Sequence, residues 1–372
     1  MNTFVSSTRL AGAALAAVLA AQSIAAATTV LSTPVGVIAE SAPAGPSGYA
    51  FPLIDADVVV GTVVSNTGSS IVLADATGAV GARLAPERRY FVEITTGPLE
   101  GERLDLDTAA TIAAGGPGLV VEFGEITHST LPSLADGALA GARCVVRPHL
   151  TLADLPGMFT PALRGHRFAI RADAVVFVGE EGVERYSLAE DNQTWLSASD
   201  HRLGPWALLH HAWRRRHAQG APTDYAALVI PPDVSVMIEN NSGPKVWRHE
   251  GIVRSSAFRK NLGRGVQAFA SGFPVDLAPL EIGAFVDTAE PAAVRWTGSN
   301  LFLLADQIEV LLGDQGLLAL YYLRGDGRTW RELGGSARVD HAGRPILGAT
   351  DMILLRRRNA DSGFIVPRPF DL

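Results

Sequence analysis

The chain has 372 residues, 31 basic and 38 acidic side chains, a net charge of -7 and one cysteine, Cys144. That acidity makes nucleic acid a poor partner, since phosphate binding is driven by an excess of Lys and Arg. A lone cysteine excludes any intramolecular disulfide, so a packed core has to hold the fold.

The N-terminus carries Arg9, an apolar run from Leu10 to Ala21 and small residues ending at Ala27, the layout of a cleavable secretory signal peptide. The apolar run has 12 residues, whereas a membrane-spanning helix needs roughly 20. Cleavage between Ala27 and Thr28 is expected, with export to the periplasm, the cell surface or the medium. No later run of 18 apolar residues occurs, so no membrane span is expected after signal removal. The mature chain would carry 30 basic and 38 acidic residues, a net charge of -8, because only Arg9 is lost.

Beyond the signal, short Val/Ile/Leu/Phe runs alternate with turn residues, and the sequence predicts strands in quantity. Asp57–Val64 and Ser69–Leu73 bracket the turn Ser65–Gly68 as one hairpin. Tyr90–Ile94 and Glu102–Leu106 bracket a Thr95–Pro98 turn as a second. Leu119–Phe123 and Arg143–Arg147 are further strand candidates, the latter carrying Cys144 as a buried, inert thiol. Residues 28–155 are read as an N-terminal β domain.

The second half carries a repeat. Ala172-Asp173 through Gly179 recurs as Ala305-Asp306 through Gly313, and Tyr186, Asp191, Thr194 and Trp195 recur as Tyr321, Asp326, Thr329 and Trp330 at an offset of 135. Two related β-units, 160–241 and 300–372, follow, joined by a β-rich segment over 242–299. Both units are expected to end in an extended segment after an Asp, Asp233–Ile238 in the first and Asp361–Val366 in the second. One helix is predicted inside the first unit, opening at Pro205 and closing near Gly220, with Trp206, Leu209 and Trp213 on one face. The predicted class is all-β: sandwich or barrel modules, a duplicated C-terminal β-unit and one inserted short helix.

Thr33-Pro34-Val35-Gly36 with Pro43-Ala44-Gly45, then Pro148-His149-Leu150-Thr151-Leu152, then the Asp-turn-Trp and Ser362–Val366 pieces resemble a family of exported proteins of verrucomicrobial-type bacteria whose function is not established. The resemblance spans most of the mature chain. It implies a secreted, β-rich protein and carries neither substrate nor mechanism. The chain departs from the family pattern at Leu150, where relatives tend to an aromatic, and at Val234-Ser235-Val236 in the first repeat.

Motifs for chemistry are scarce. The hydrolase elbow G-x-S-x-G, the P-loop and H-E-x-x-H are absent, and Gly263-Arg264-Gly265 lacks the preceding strand a dinucleotide site needs. His201, His210, His211 and His217 cluster, but Arg214–Arg216 oppose a cation there. Arg214–Arg216 and Arg356–Arg358 are read as solvated faces. Asp105 and Asp107 alternate on a strand, one carboxylate pair fit for glycosidase or calcium chemistry, with a solvated strand face as the plainer reading. Glu180-Glu181 falls in a hairpin turn. Trp195 and Trp330, presented equivalently by the repeat, are candidate sugar-stacking rings, with a core role as the plainer reading, since a Trp just after a hairpin turn usually folds back onto the sheet. No catalytic, metal or cofactor residue is assigned. The expected role is a non-catalytic structural or adhesive component of the cell envelope or extracellular matrix. Surface polysaccharide or another envelope protein is the candidate partner, and a carbohydrate-binding module or a polysaccharide hydrolase is the rival reading.

Overall fold

The computed structural model describes residues 35–370 apart from 75–77, 124–128, 130, 180–181, 199–222, 291–294 and 312–317. Among the described residues the chain is all-β with one short α-helix. The first stretch contains β1 (Val35–Ala42), β2 (Gly45–Tyr49), β3 (Leu53–Ile54), β4 (Val59–Thr67), β5 (Ser70–Leu73), β6 (Tyr90–Ile94), β7 (Arg103–Leu106), α1 (Thr108–Ala114), β8 (Gly118–Glu122) and β9 (Arg143–Pro148). There follow β10 (Leu150–Thr151), β11 (Phe159–Thr160), β12 (Ala174–Gly179), β13 (Gly182–Leu188), β14 (Trp195–Ser197), β15 (Val229–Ile230), β16 (Val236–Asn240) and β17 (Lys245–Val253). The remainder comprises β18 (Phe258–Leu262), β19 (Gly265–Phe269), β20 (Gln307–Leu311), β21 (Leu318–Leu323), β22 (Trp330–Glu332), β23 (Met352–Arg357) and β24 (Asp361–Val366).

Strands β4 to β9 close into an antiparallel barrel in the order β4-β5-β8-β7-β6-β9. The first predicted hairpin is present, although its turn is tighter than expected, with Thr67 already opposite Ser70. Alternate residues fill the barrel: Val59 and Val63, Tyr90, Val92 and Ile94, Leu104 and Leu106, Cys144 and Val146, as the period-two pleat of a closed sheet requires. Burial pushes the Cys144 thiol up to about 12, which keeps it un-ionised. Asp107 does not continue β7. It caps α1, its carboxylate accepting the Ala110 N–H at 2.8 Å.

Ten of the remaining strands build two five-stranded antiparallel sheets of one layout, β2-β16-β12-β13-β14 and β19-β23-β20-β21-β22, and the others form smaller sheets, among them the pair β10-β15 and the set of β1, β3 and β11 on β17. In each, the strand before the first member turns away and pairs with the strand after the second: β1 with β17, β18 with β24. Residues 35–54 therefore pair with β16 and β17 rather than with the barrel, which lies between β3 and β10 in the chain. Asp173 and Asp306, just before β12 and β20, are both buried. Asp173 accepts N–H bonds from Arg164 and Ser242, and Asp306 accepts them from Thr297 and Arg358. Gly165 and Gly298 sit so close to the carbonyls of Ala189 and Arg324 that a Cβ at either position would overlap them. The Asp-turn-Trp pieces also match, with Ala189 N–H bonding Thr194 O and Arg324 N–H bonding Thr329 O, each at 2.8 Å.

Three expectations need correction. Asp361–Val366 (β24) is not the counterpart of the stretch after Asp233: β16 flanks β12 as β23 flanks β20, while β24 holds the place of β17. Arg356–Arg358 is not a solvated face, because strand alternation drives Arg357 inward to Asp306 Oδ2 at 3.2 Å while Arg356 bonds Glu309 at the surface. The predicted helix near 205–220 lies outside the described residues; the helix seen is α1, in the barrel.

Candidate functional site

The outer face of β6, β7 and β9 is where the barrel meets the sheets, and it is charged. Phe91, Glu93, Arg103, Asp105, Arg147 and His149 alternate with the barrel-filling residues, yet all are buried. Glu93 bonds both Arg147 and Arg254, and Ser256 Oγ donates to it at 3.2 Å. Arg147 also donates to Asp57 at 2.7 Å. Beside this cluster, Asp233 takes Arg103 Nη1 at 2.9 Å and Lys260 Nζ at 3.0 Å, while Lys260 also donates to the carbonyls of Asp233 and Ala268. Burial pulls Arg254 down to about 9 and Arg147 to about 10, and it lowers Lys260 as well. The two arginines remain cations at neutral pH. The barrel (Glu93, Arg103, Arg147), the first sheet (Asp233, leading into β16) and the chain around β18 (Arg254, Lys260) are thus stitched by ion pairs.

The solvated-face reading of Asp105 fails for the same reason: its outward face is covered. Asp105 Oδ1 lies 3.0 Å from His149 Nε2, with the Phe91 ring 4.9 Å from the imidazole. Burial lowers the His149 pKa, so the neutral ring donates from Nε2 and leaves Nδ1 as a lone pair without a partner. Nδ1 of His249 is likewise unpartnered, and burial holds His249 down to about 4. Both imidazoles line a cavity of about 30 Å³ walled by Phe51, Leu53, Ile54 and Ile230 and by Asp55, whose carboxyl pKa burial raises, room for one water. A His–carboxylate pair serves nucleophilic catalysis when a hydroxyl or thiol stands at its far nitrogen. No Ser, Thr or Cys lines this cavity. Asp105 and Asp107, one candidate pair in sequence, are not brought together as a site: one pairs with His149 and the other caps α1.

Trp195 and Trp330 are both 0 % exposed, packed in separate cores, so neither offers a face to a sugar. Trp330 Nε1 donates to Ala284 O at 2.7 Å, whereas Trp195 Nε1 has no acceptor. Ala27, Thr28, Glu180, Glu181, the four clustered histidines and Arg214–Arg216 lie outside the described residues. Among the described residues no group of three or more His, Cys, Asp or Glu is placed to hold a metal ion, and no helix is long and apolar enough to cross a membrane.

Sequence reading missed a groove of about 890 Å³ where the barrel, the first sheet and the segment from β18 to β19 converge. Its wall carries Phe177 and Tyr225, which pack on either side of Tyr186 at centroid distances of 5.9 and 4.9 Å. Polar groups from three segments reach it: Arg89, Glu184 with Asp224, and Asn261 with Gln267. No local motif marks such a surface, because its residues are up to 179 positions apart. Comparison of the chain with protein-family models, curated proteins and solved structures finds no match.

Proposed function

We propose that this chain is an exported, non-catalytic structural or adhesive component of the cell envelope or extracellular matrix. The observation that carries this reading is the chemistry of the buried His149–Asp105 pair at the barrel seam: among the described residues it faces a water-sized cavity lined by no Ser, Thr or Cys, and the other buried charges at the seam neutralise one another. Paired charges at such a seam fix modules in place. The signal-like N-terminus and the resemblance to exported β-rich proteins agree with it. The body is read as two copies of one β-unit, the first carrying the barrel as an insertion, supported by the shared strand order and by the Asp173 and Asp306 bonds.

Fractionation of cells expressing the full chain, with N-terminal sequencing of the recovered protein, tests the reading. A mature chain starting at Thr28 in the envelope or medium is expected. A cytoplasmic chain that retains Met1, or polysaccharide or ester turnover abolished by His149→Ala, overturns it.

A further inference from the structure

We infer that the groove between the barrel, the β12–β13 hairpin and the segment from β18 to β19 is a binding site for a neutral oligosaccharide. The inference deepens the adhesive reading above and rests on it. The groove's volume, about 890 Å³, falls within the range of roughly 300–1,000 Å³ typical of small-ligand sites, and its position at a meeting of modules is where such sites concentrate. Its floor is apolar, with Val229, Val234 and Ala268, and two half-buried rings, Phe177 and Tyr225, stand in its wall.

The polar groups are held in place and balanced in sign. Glu184 accepts the Tyr186 hydroxyl at 2.9 Å, and Asp224 Oδ1 accepts the N–H groups of Trp195 and Ala226, both at 3.0 Å. The Gln267 amide is clamped by the backbone of Gly263. Lys260 reaches the groove only with its stem, because its ammonium is engaged by Asp233 and two carbonyls and the residue is 2 % exposed. Among the described residues lining the groove, Arg89 is then the one exposed cation against two carboxylates, a balance that favours a neutral polymer over an anionic one. Aromatic faces beside oriented carboxylate, amide and guanidinium groups match a pyranose, which offers apolar C–H faces and a belt of hydroxyls.

The test is affinity electrophoresis of the mature chain in native gels containing a soluble β-glucan, a galactomannan or, as the anionic comparison, alginate. Val183, 68 % exposed at the groove, is replaced in Val183→Trp to block it without touching the core. Val37→Trp, on an exposed position of β1, is the control. The expected result is retardation by at least one neutral polymer, weakened about tenfold or more in apparent affinity by Val183→Trp and unchanged by Val37→Trp, with both variants retaining the parent urea midpoint. Retardation by neither neutral polymer, retardation by alginate alone, or undiminished retardation of folded Val183→Trp overturns the proposal. Should Val183→Trp lose its urea midpoint, Glu184→Ala on the exposed rim replaces it, with the same two outcomes. Export of the chain is read separately by fractionation, so loss of glycan binding leaves the localisation result standing.

Discussion

Asp233→Asn should be among the most damaging single substitutions in the chain, for an electrostatic reason. Arg103 Nη1 and Lys260 Nζ lie 2.9 and 3.0 Å from this carboxylate, and all three side chains are at most 2 % exposed. Removing one partner of a buried pair costs about 3–5 kcal/mol, because the charge left behind has no solvent to turn to. Two cations are orphaned here, so a loss near the top of that range, about 5 kcal/mol, is expected out of a total of roughly 5–15. Burial already lowers the Lys260 pKa, and without Asp233 it drops further. The folded variant then releases the lysine proton at a lower pH than the unfolded chain does. Between that pH and the ordinary lysine value near 10.4, the unfolded state binds more protons, so stability of the variant rises with pH. Urea unfolding followed by tryptophan fluorescence at pH 7 and pH 9.5 should show the deficit against the parent shrinking at the higher pH. Adding Lys260→Met should restore part of it at pH 7. A pH 7 deficit below about 1 kcal/mol, the size of an average substitution, or one indifferent to both pH and Lys260→Met, would refute this account of the seam.

Trp195→Ala and Trp330→Ala should each cost about 3–5 kcal/mol by urea denaturation, since both rings are fully buried. Trp330→Phe should be the costlier of the two Phe variants by about 1–2 kcal/mol, because only Trp330 gives up a hydrogen bond, to Ala284 O. Gly165→Ala and Gly298→Ala should each lower stability by about 1–3 kcal/mol, as the new Cβ must displace the carbonyl of Ala189 or Arg324; urea midpoints check both. His249 is neutral in the fold down to about pH 4, whereas the unfolded ring takes a proton near 6.5, so the fold loses about 3 kcal/mol between pH 6.5 and 4. His249→Phe should flatten that part of the stability profile measured by thermal unfolding across the same range.

The strands were legible because their signals are local. Val, Ile and Leu at alternate positions with Gly, Asn and Asp between runs place β4, β5, β6, β7, β8 and β9 within two or three residues of the observed limits. Cys144 was readable for the same reason. The seam was not. In Arg103-Leu104-Asp105-Leu106, period two correctly separates Leu from charge, but it cannot say whether the charged face meets water or another module, and here it meets Asp233 and His149. Glu93, alone among apolar neighbours in Tyr90–Ile94, and Lys260, one of two lysines in the chain, were the local hints. Their partners Arg254 and Asp233 lie 161 and 27 residues away. Trp195 and Trp330 were legible in the main: a Trp just after a hairpin turn folds back onto its sheet, and both rings are buried as that core role requires. The groove has no sequence signature at all, since Arg89, Glu184 and Gln267 converge only after three modules dock.

A charged seam is a poor way to gain stability, because desolvating each ion offsets most of the attraction, and well-packed apolar residues would do as well or better. What it does supply is register. The outward residues of β6, β7 and β9 include Glu93, Arg103, Asp105 and Arg147, so a slip of one residue would turn Val92 or Leu104 toward the sheets and leave Arg254 and Asp233 facing hydrocarbon. In the docked pose all four cations, Arg103, Arg147, Arg254 and Lys260, are paired. That pairing matters for the groove, whose rim takes Arg89 from the barrel, Glu184 from the first sheet and Gln267 from β19. Lys260 joins the two features physically: its ammonium completes the seam and its stem lines the groove. A ligand surface assembled from three modules keeps its shape only as well as the modules keep their places, and in this chain the ion pairs around Asp233 and Glu93 are positioned to do that.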